Sequence, residues 1–299
     1  MSRAALEVRE LSVILGDARV VVDRVSFTLR PGEAVGLVGE SGCGKTMAAL
    51  AVLGLLPSGA HADSQGIELN GADISALDAR RRRALLGRDI AMVFQQPGTA
   101  LDPVFTLGQQ IGAVHGRHVQ DGRTRQAVLE ALSSVGFENP KEIADAYPHQ
   151  LSGGMRQLGM VAMATVCKPS VIIADEPTTA LDATSRAMIL QQFDRLRAQQ
   201  GTAVLLISHD LGVIRRSCSE ALVMYCGRVV ERAPSEALFA GPRHPYSAGL
   251  LACIPPLGKD VAAIRPIPGQ VPALTDLPDG CHFAPRCDRC VTRCRETAP

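Results

Sequence analysis

Gly39-Glu40-Ser41-Gly42-Cys43-Gly44-Lys45-Thr46 fits the pattern G-x-x-x-x-G-K-[ST]. It lies between an apolar run, Ala34-Val35-Gly36-Leu37-Val38, and a helix-forming one, Met47-Ala48-Ala49-Leu50-Ala51-Val52-Leu53. Strand, glycine loop, helix is the context in which this pattern grips a triphosphate. The glycines let backbone N–H groups converge on phosphate oxygens, and the positive end of the following helix faces them. In that arrangement Lys45 reaches the β- and γ-phosphates and Thr46 ligates Mg2+. Taken alone, the stretch could equally be a glycine-rich turn with an incidental lysine, so the neighbouring motifs decide the matter.

Composition narrows the classes. The 299 residues suit one large domain, or a domain with an extension, and 46% hydrophobic residues can fill a substantial core. With 31 basic and 30 acidic residues the net charge is +1, which gives no general attraction to nucleic acid. The one basic run, Arg80-Arg81-Arg82-Arg83, reads as a solvated helix face. Trp is absent and aromatics are scarce, which speaks against base-stacking platforms. No apolar stretch is long enough to span a membrane, and charged Met1 to Glu10 offers no secretory core, so a cytosolic location is expected.

Around the glycine loop, Leu6 to Leu11 and Val20 to Leu29 alternate like strands, and Ile67 to Gly71 is a strand closing on a turn. The helix after Thr46 is expected to end near Leu56-Pro57-Ser58-Gly59, and Asp78 to Leu86 reads as helical. The strand Ile90-Ala91-Met92-Val93-Phe94 delivers Gln95 to its end. From Leu107 to about Ala146 the pattern is helical and polar, as in an inserted subdomain. In Leu151-Ser152-Gly153-Gly154-Met155-Arg156-Gln157, Ser152 is a candidate N-cap and the glycines permit close backbone approach, which prepares a second helix start for an anion. Val171-Ile172-Ile173-Ala174 is apolar throughout, as in parallel sheets buried on both faces, and it ends in Asp175 and Glu176. Acids at that edge stand where open α/β sheets bind ligands. There Asp175 would hold Mg2+ and Glu176 would polarise the attacking water. After the helix Ala183 to Gln199, a further buried strand, Ala203 to Ser208, ends at His209.

With these pieces in order, residues 5 to 240 resemble the nucleotide-binding subunit of ABC transporters. Gly39–Thr46 is similar to Walker A, Gln95 to the Q-loop, Leu151–Gln157 (LSGGMRQ) to the signature, Val171–Glu176 to Walker B, Ala180-Leu181-Asp182 to the D-loop and His209 to the H-loop. Met92-Val93-Phe94-Gln95-Gln96-Pro97, His244-Pro245-Tyr246 and Ile267-Pro268-Gly269 before a cysteine tail resemble the peptide/nickel importer branch. The resemblance implies a P-loop α/β fold with a RecA-like core sheet, an antiparallel β subdomain and an inserted helical subdomain at about 96–165. The ATPase domain would be 1–240 and the cysteine-bearing extension 241–299. Gly39, Glu40, Ser41, Gly42, Cys43, Gly44, Lys45, Thr46 and Met47 would bind ATP with Gln95. Lys45, Glu176 and His209 would be catalytic, and Thr46, Gln95 and Asp175 would hold Mg2+. Ser152, Gly153 and Gly154 would contact a nucleotide held by a second subunit, with Gln157 and Asp182 also at nucleotide.

The implied partners are a second ATPase subunit, as a heterodimer with a paralogue, two membrane permease subunits, and indirectly an extracytoplasmic binding protein. The chain would sit at the cytoplasmic face of the membrane, with no nucleic acid. A soluble ABC-type ATPase working on DNA or ribosomes is the alternative; such proteins add coiled-coil arms or a second ATPase domain, neither of which is seen. Three departures from the family pattern stand out. No aromatic in Leu15-Gly16-Asp17-Ala18-Arg19-Val20 offers itself to adenine, Cys43 and Met47 replace serine, and Leu158-Gly159 replace an arginine and a bulkier residue.

Four of the nine cysteines crowd the tail as Cys281-x5-Cys287-x2-Cys290-x3-Cys294. In a reducing compartment such a cluster points to metal before disulfides, either an iron–sulfur cluster or Zn2+. Resemblance to the four-cysteine members of the importer branch favours [4Fe–4S].

Overall fold

The structure, a computed structural model, describes residues 3–16, 19–179, 181–254 and 266–298. The strands are β1 (Leu6–Leu15), β2 (Arg19–Leu29), β3 (Ala34–Val38), β4 (Ala60–Asp63), β5 (Gly66–Leu69), β6 (Ala72–Asp73), β7 (Ile90–Val93), β8 (Val171–Asp175), β9 (Ala203–Ile207), β10 (Glu220–Tyr225) and β11 (Arg228–Pro234). The helices are α1 (Lys45–Leu53), α2 (Ala79–Leu85), α3 (Pro97–Ala100), α4 (Leu107–His118), α5 (Thr124–Ser134), α6 (Pro140–Asp145), α7 (Gly153–Thr165), α8 (Ala183–Gln200), α9 (Leu211–Ser217), α10 (Ser235–Ala240), α11 (Pro245–Ala252) and α12 (Arg293–Glu296). Two compact units emerge, and neither is continuous in sequence. One gathers Met1–Glu7, Thr28–Ala34 and Glu68–Ile207, the other Val8–Phe27, Val35–Ile67 and Ser208–Pro299.

In the first unit β7, β8 and β9 run parallel, with Ile90 opposite Val171 and Val171 opposite Ala203. Every residue of β8 and β9 is buried, which is why those runs carry no polar alternation. The helices α4 to α7 occupy the stretch expected to be helical. Thr106 and Gln109 form a capping box at α4, Pro140 opens α6, and Ser152 caps α7. The unusual Gly159 has a packing reason: a Cβ there would stand 2.7 Å from Leu107, which is fully buried at the start of α4. Three of the four arginines at 80–83 are exposed on α2, Arg82 being half-buried.

In the second unit β10 pairs parallel with β3, Glu220 facing Val35, and antiparallel with β11, with a register shift at Val223/Met224. β1 pairs antiparallel with β4, Ser12 facing Asp63 and Leu15 facing Ala60. β4 escapes a pattern reading because Ala-His-Ala-Asp has no apolar alternation and is largely exposed. The helix α1 stops at Leu53, short of the expected end, because Gly54 takes the left-handed conformation (φ 69°) and returns its N–H to Ala51 and Leu50.

The scarce aromatics are concentrated in this unit. Tyr225 and Tyr246 are fully buried with ring centroids 4.6 Å apart, and Phe283 meets them at 5.2 and 5.3 Å. His244 lies 5.9 Å from Phe283 and caps α11, its Nδ1 accepting the Tyr246 N–H at 3.1 Å. That acceptor exists only in the neutral ring. Burial pushes the imidazole below its ordinary 6.5, against the pull of Glu231. A folded pKa below the unfolded one gives stability that is complete above pH 6.5 and is lost as pH falls through that value. Denaturant midpoints should therefore drop between about pH 7.5 and about pH 5.5, and His244→Asn, which keeps a cap acceptor but does not titrate, should lose less over the same interval. Among the described residues no helix is long and apolar enough to cross a membrane.

Candidate nucleotide site

The loop joining β3 to α1 belongs to the second unit. Gly44 stands at the N-cap of α1 with φ 105°, in the left-handed region, and a Cβ there would meet the Val21 carbonyl at 2.6 Å. Only glycine satisfies both limits, so the second glycine of the motif is fixed by geometry. Lys45 is 7% exposed and folds back into the loop. Its Nζ donates to the Gly39 carbonyl at 2.7 Å and the Glu40 carbonyl at 3.0 Å, with the Cys43 sulfur at 3.7 Å. The ammonium is thus held where an incoming phosphate can draw it off those carbonyls. Thr46 and Ser41 are exposed and Met47 is half-buried. Cys43 is buried, and desolvation raises its thiol despite the neighbouring Lys45 charge.

Glu40 is held more tightly than the motif requires. Its N–H donates to Tyr246 Oη at 2.9 Å, and its carboxylate accepts both Nη groups of Arg286, at 2.8 and 3.2 Å. Neither partner was legible in sequence, because they lie over 200 positions away. His209, also in this unit, is exposed, and Asp210 beside it caps α9 through Gly212 and Val213. Arg19 and Val20 are exposed at the start of β2, while Asp17 and Ala18 lie outside the described residues.

The first unit holds the acids. β8 ends with Asp175 at 2% exposure, and Glu176 after it is 9% exposed. Glu176 has φ 49°, a left-handed conformation uncommon for a side-chain-bearing residue, and its N–H donates to the Ile207 carbonyl at 2.9 Å. Its Oε2 accepts the Thr179 hydroxyl at 2.7 Å. Thr179 is a contact the sequence reading missed, although a hydroxyl three residues beyond an acid is the signal for it. Gln95 is exposed at the end of β7. The oxygens of Thr46, Asp175 and Gln95 are the hard donors that Mg2+ takes, so their chemistry fits that ion.

The signature stretch opens α7. Ser152 caps α7 by accepting the Met155 N–H at 3.3 Å, and Ser152 and Gly153 are exposed. A Cβ on Gly154 would meet Ser185 Oγ at 2.6 Å, and Ser185 in turn bonds Asp182, the exposed cap of α8. Those bonds from Ser185 hold the Asp182 carboxyl below the usual range. Ala180 of the same stretch lies outside the described residues. Gln157 is 2% exposed, one turn into α7 where that helix packs on its neighbours.

The four cysteines of the tail lie in different settings. Cys281 is buried, and its N–H donates to the Cys294 carbonyl at 2.8 Å, while the Cys290 thiol turns to the Val291 carbonyl. Burial raises the Cys287 thiol, and the nearby Asp288, Cys281 and Cys290 raise it further. Among the described residues no three His, Cys, Asp or Glu side chains are grouped to hold a metal ion. The backbone between the first two cysteines follows Phe283 and Arg286 into the aromatic cluster.

Comparison with known proteins identifies the family. Residues 22–179 match the family described as ABC transporter, and residues 230–294 match the oligopeptide/dipeptide transporter C-terminal region. The chain is 41% identical to the dipeptide transport ATP-binding protein DppD of Escherichia coli (strain K12), covering 99% of this chain and 92% of that one. It is 42% identical to the oligopeptide transport ATP-binding protein AppD of Bacillus subtilis (strain 168), over 93% and 86% of the two chains. In fold it resembles MJ0796, a bacterial ABC transporter cassette solved as a dimer, with TM-score 0.67 and 24% identity, over 77% of this chain and 98% of that one. The chain therefore belongs to the ABC transporter family, as an ATPase that carries the oligopeptide/dipeptide transporter C-terminal region.

Proposed function

We propose that this chain is the ATP-hydrolysing subunit that powers import of peptides, or of a related small solute such as a nickel chelate, through separate membrane permease subunits. The observation that carries the reading is the match of residues 230–294 to the peptide-transporter C-terminal region on a chain whose ATP motifs are all present in order. Lys45 would leave its carbonyl partners for the β- and γ-phosphates, and the N–H groups at the start of α1 would bind the same oxygens. Mg2+, held by Thr46, Asp175 and Gln95, would neutralise developing phosphate charge. Glu176, oriented by Thr179, would take the proton of the attacking water, and His209 would assist at the same reaction. Ser152, Gly153 and Gly154, with Asp182 at the adjoining helix cap, would face nucleotide bound by a second ATPase subunit. We assign that subunit as a related but distinct chain, and place the assembly at the cytoplasmic face of the membrane, supplied by an extracytoplasmic binding protein. The likeness in domain layout supports an ATPase domain over 1–240, with helices at about 96–165, and an extension over 241–299.

The test is reconstitution with the permease and ATPase partners in vesicles. ATP hydrolysis coupled to uptake of a labelled dipeptide or oligopeptide is expected. Turnover stimulated by DNA or ribosomes, and by no permease, would replace this reading with the soluble alternative. The metal reading of the tail rests on cysteine spacing and on the resemblance to four-cysteine members of the importer branch, and no step above passes through it. Iron, sulfide and zinc content of anaerobically purified protein decides it: a brown, iron-loaded chain upholds the cluster, and a colourless, metal-free one leaves the tail as a packing element.

A further inference from the structure

We propose that Arg286 is a positioning residue for nucleotide binding: a guanidinium brought from the C-terminal region that braces the phosphate loop through Glu40. The inference deepens the ATP-binding reading and rests on it. Arg286 is 7% exposed, and its fork is fully committed. Nη1 and Nη2 each take one oxygen of Glu40, Nε donates to the Pro268 carbonyl at 2.9 Å, and Nη1 also reaches Tyr225 Oη at 3.4 Å. The guanidinium stands 5.8 Å from the Tyr225 ring centre and 5.9 Å from that of Phe283. A planar bidentate pair fixes direction as well as distance.

Glu40 is thereby engaged at every polar group. Its carboxylate meets Arg286, its N–H meets Tyr246, and its carbonyl accepts a hydrogen bond from Lys45. Through that carbonyl, a shift of Glu40 moves the seat of Lys45 and the row of N–H groups that follows. The same tail segment bears on the loop's far side. His282 Nδ1 pairs with the Cys226 carbonyl at 2.9 Å, and the next N–H, on Gly227, donates to the Cys43 carbonyl at 2.9 Å. Residues 282 to 286 therefore hold the loop at Glu40 directly and at Cys43 through one strand end. A buried ion pair is poor economy for stability alone, since apolar side chains of like volume serve as well. Its use here is to fix geometry. Arg286 touches no phosphate-binding atom and acts through Glu40.

The experiment titrates full-length wild type, Arg286→Met, Arg286→Lys, Glu40→Gln and the Met/Gln double variant with trinitrophenyl-ATP, competed by Mg-ATP. Affinity and the number of sites per chain are read separately, and thermal melts report folding. Arg286→Met should weaken affinity about tenfold to a hundredfold, the range for outer partners of ligand-binding groups, with site number held. Arg286→Lys should restore only part, because an ammonium cannot fork. Adding Arg286→Met to Glu40→Gln should change affinity little further, because the pair is already broken. The brace is refuted if Arg286→Met lowers melting temperature or site number while the remaining sites keep wild-type affinity. It is equally refuted if the two substitutions act independently. Wild-type protein that binds no ATP, or binds it regardless of Lys45→Ala, sinks the ATP reading itself and the brace with it.

Discussion

Glu176→Gln leaves ATP binding intact and removes about 10²- to 10⁴-fold of its turnover, the usual contribution of a positioned general base. The amide keeps the size of the carboxylate and can still accept the Thr179 hydroxyl, so the left-handed turn after β8 persists. What is lost is proton affinity at the atom facing the attacking water. Single-turnover hydrolysis by the reconstituted complex, with nucleotide occupancy measured in parallel, checks both halves. Loss of occupancy alongside turnover would mean that Glu176 serves structure, and full turnover would remove it from the reaction. Thr179→Ala probes the same geometry from the other side: it should reduce turnover by less, since it frees the carboxylate to rotate without changing its chemistry.

Lys45→Ala should cost about 2–3 kcal/mol of ATP affinity, from charge-assisted hydrogen bonds that nothing else in the loop replaces. At about 1.4 kcal/mol per decade this is roughly thirtyfold to a hundredfold. A second effect follows from the seat of Lys45 in the empty loop. The Gly39 and Glu40 carbonyls both accept hydrogen bonds from Nζ, and alanine removes that donor from both. Stability should fall by about 1–2 kcal/mol even with no nucleotide present, measured as a shift in denaturant midpoint. Lys45→Met, which keeps the stem and loses only the charge, should separate the electrostatic part from the packing part.

How much of this could be read before the coordinates depends on sequence distance. The glycine loop, the acids after β8 and the serine cap of α7 are local, and backbone physics ties each to its neighbours. Their element types and order were legible, as was the burial of β8 and β9. Elements without periodicity were not: β4 has none, and α1 ended early because one glycine outweighed the apolar run beyond it. The burial of Gln157 is not announced by its motif, since neighbours in a signature need not share a face. The Arg286–Glu40 pair joins positions 246 residues apart and no pattern announces it. In the cysteine tail the compact spacing of four thiols suggests a ligand set, and nothing in that spacing announces that Phe283 and Arg286 between them are drawn into the aromatic cluster.

The thiol of Cys43, enclosed in the phosphate loop and kept protonated by its surroundings, makes the loop a reporter of its own breathing. Alkylating reagents attack a thiolate in solvent, so modification at this position proceeds only during excursions that expose the sulfur. Its labelling rate, followed by peptide mass spectrometry so that the other cysteines do not interfere, becomes a clock for loop opening. Bound ATP should slow that clock in proportion to the time the cradle stays shut.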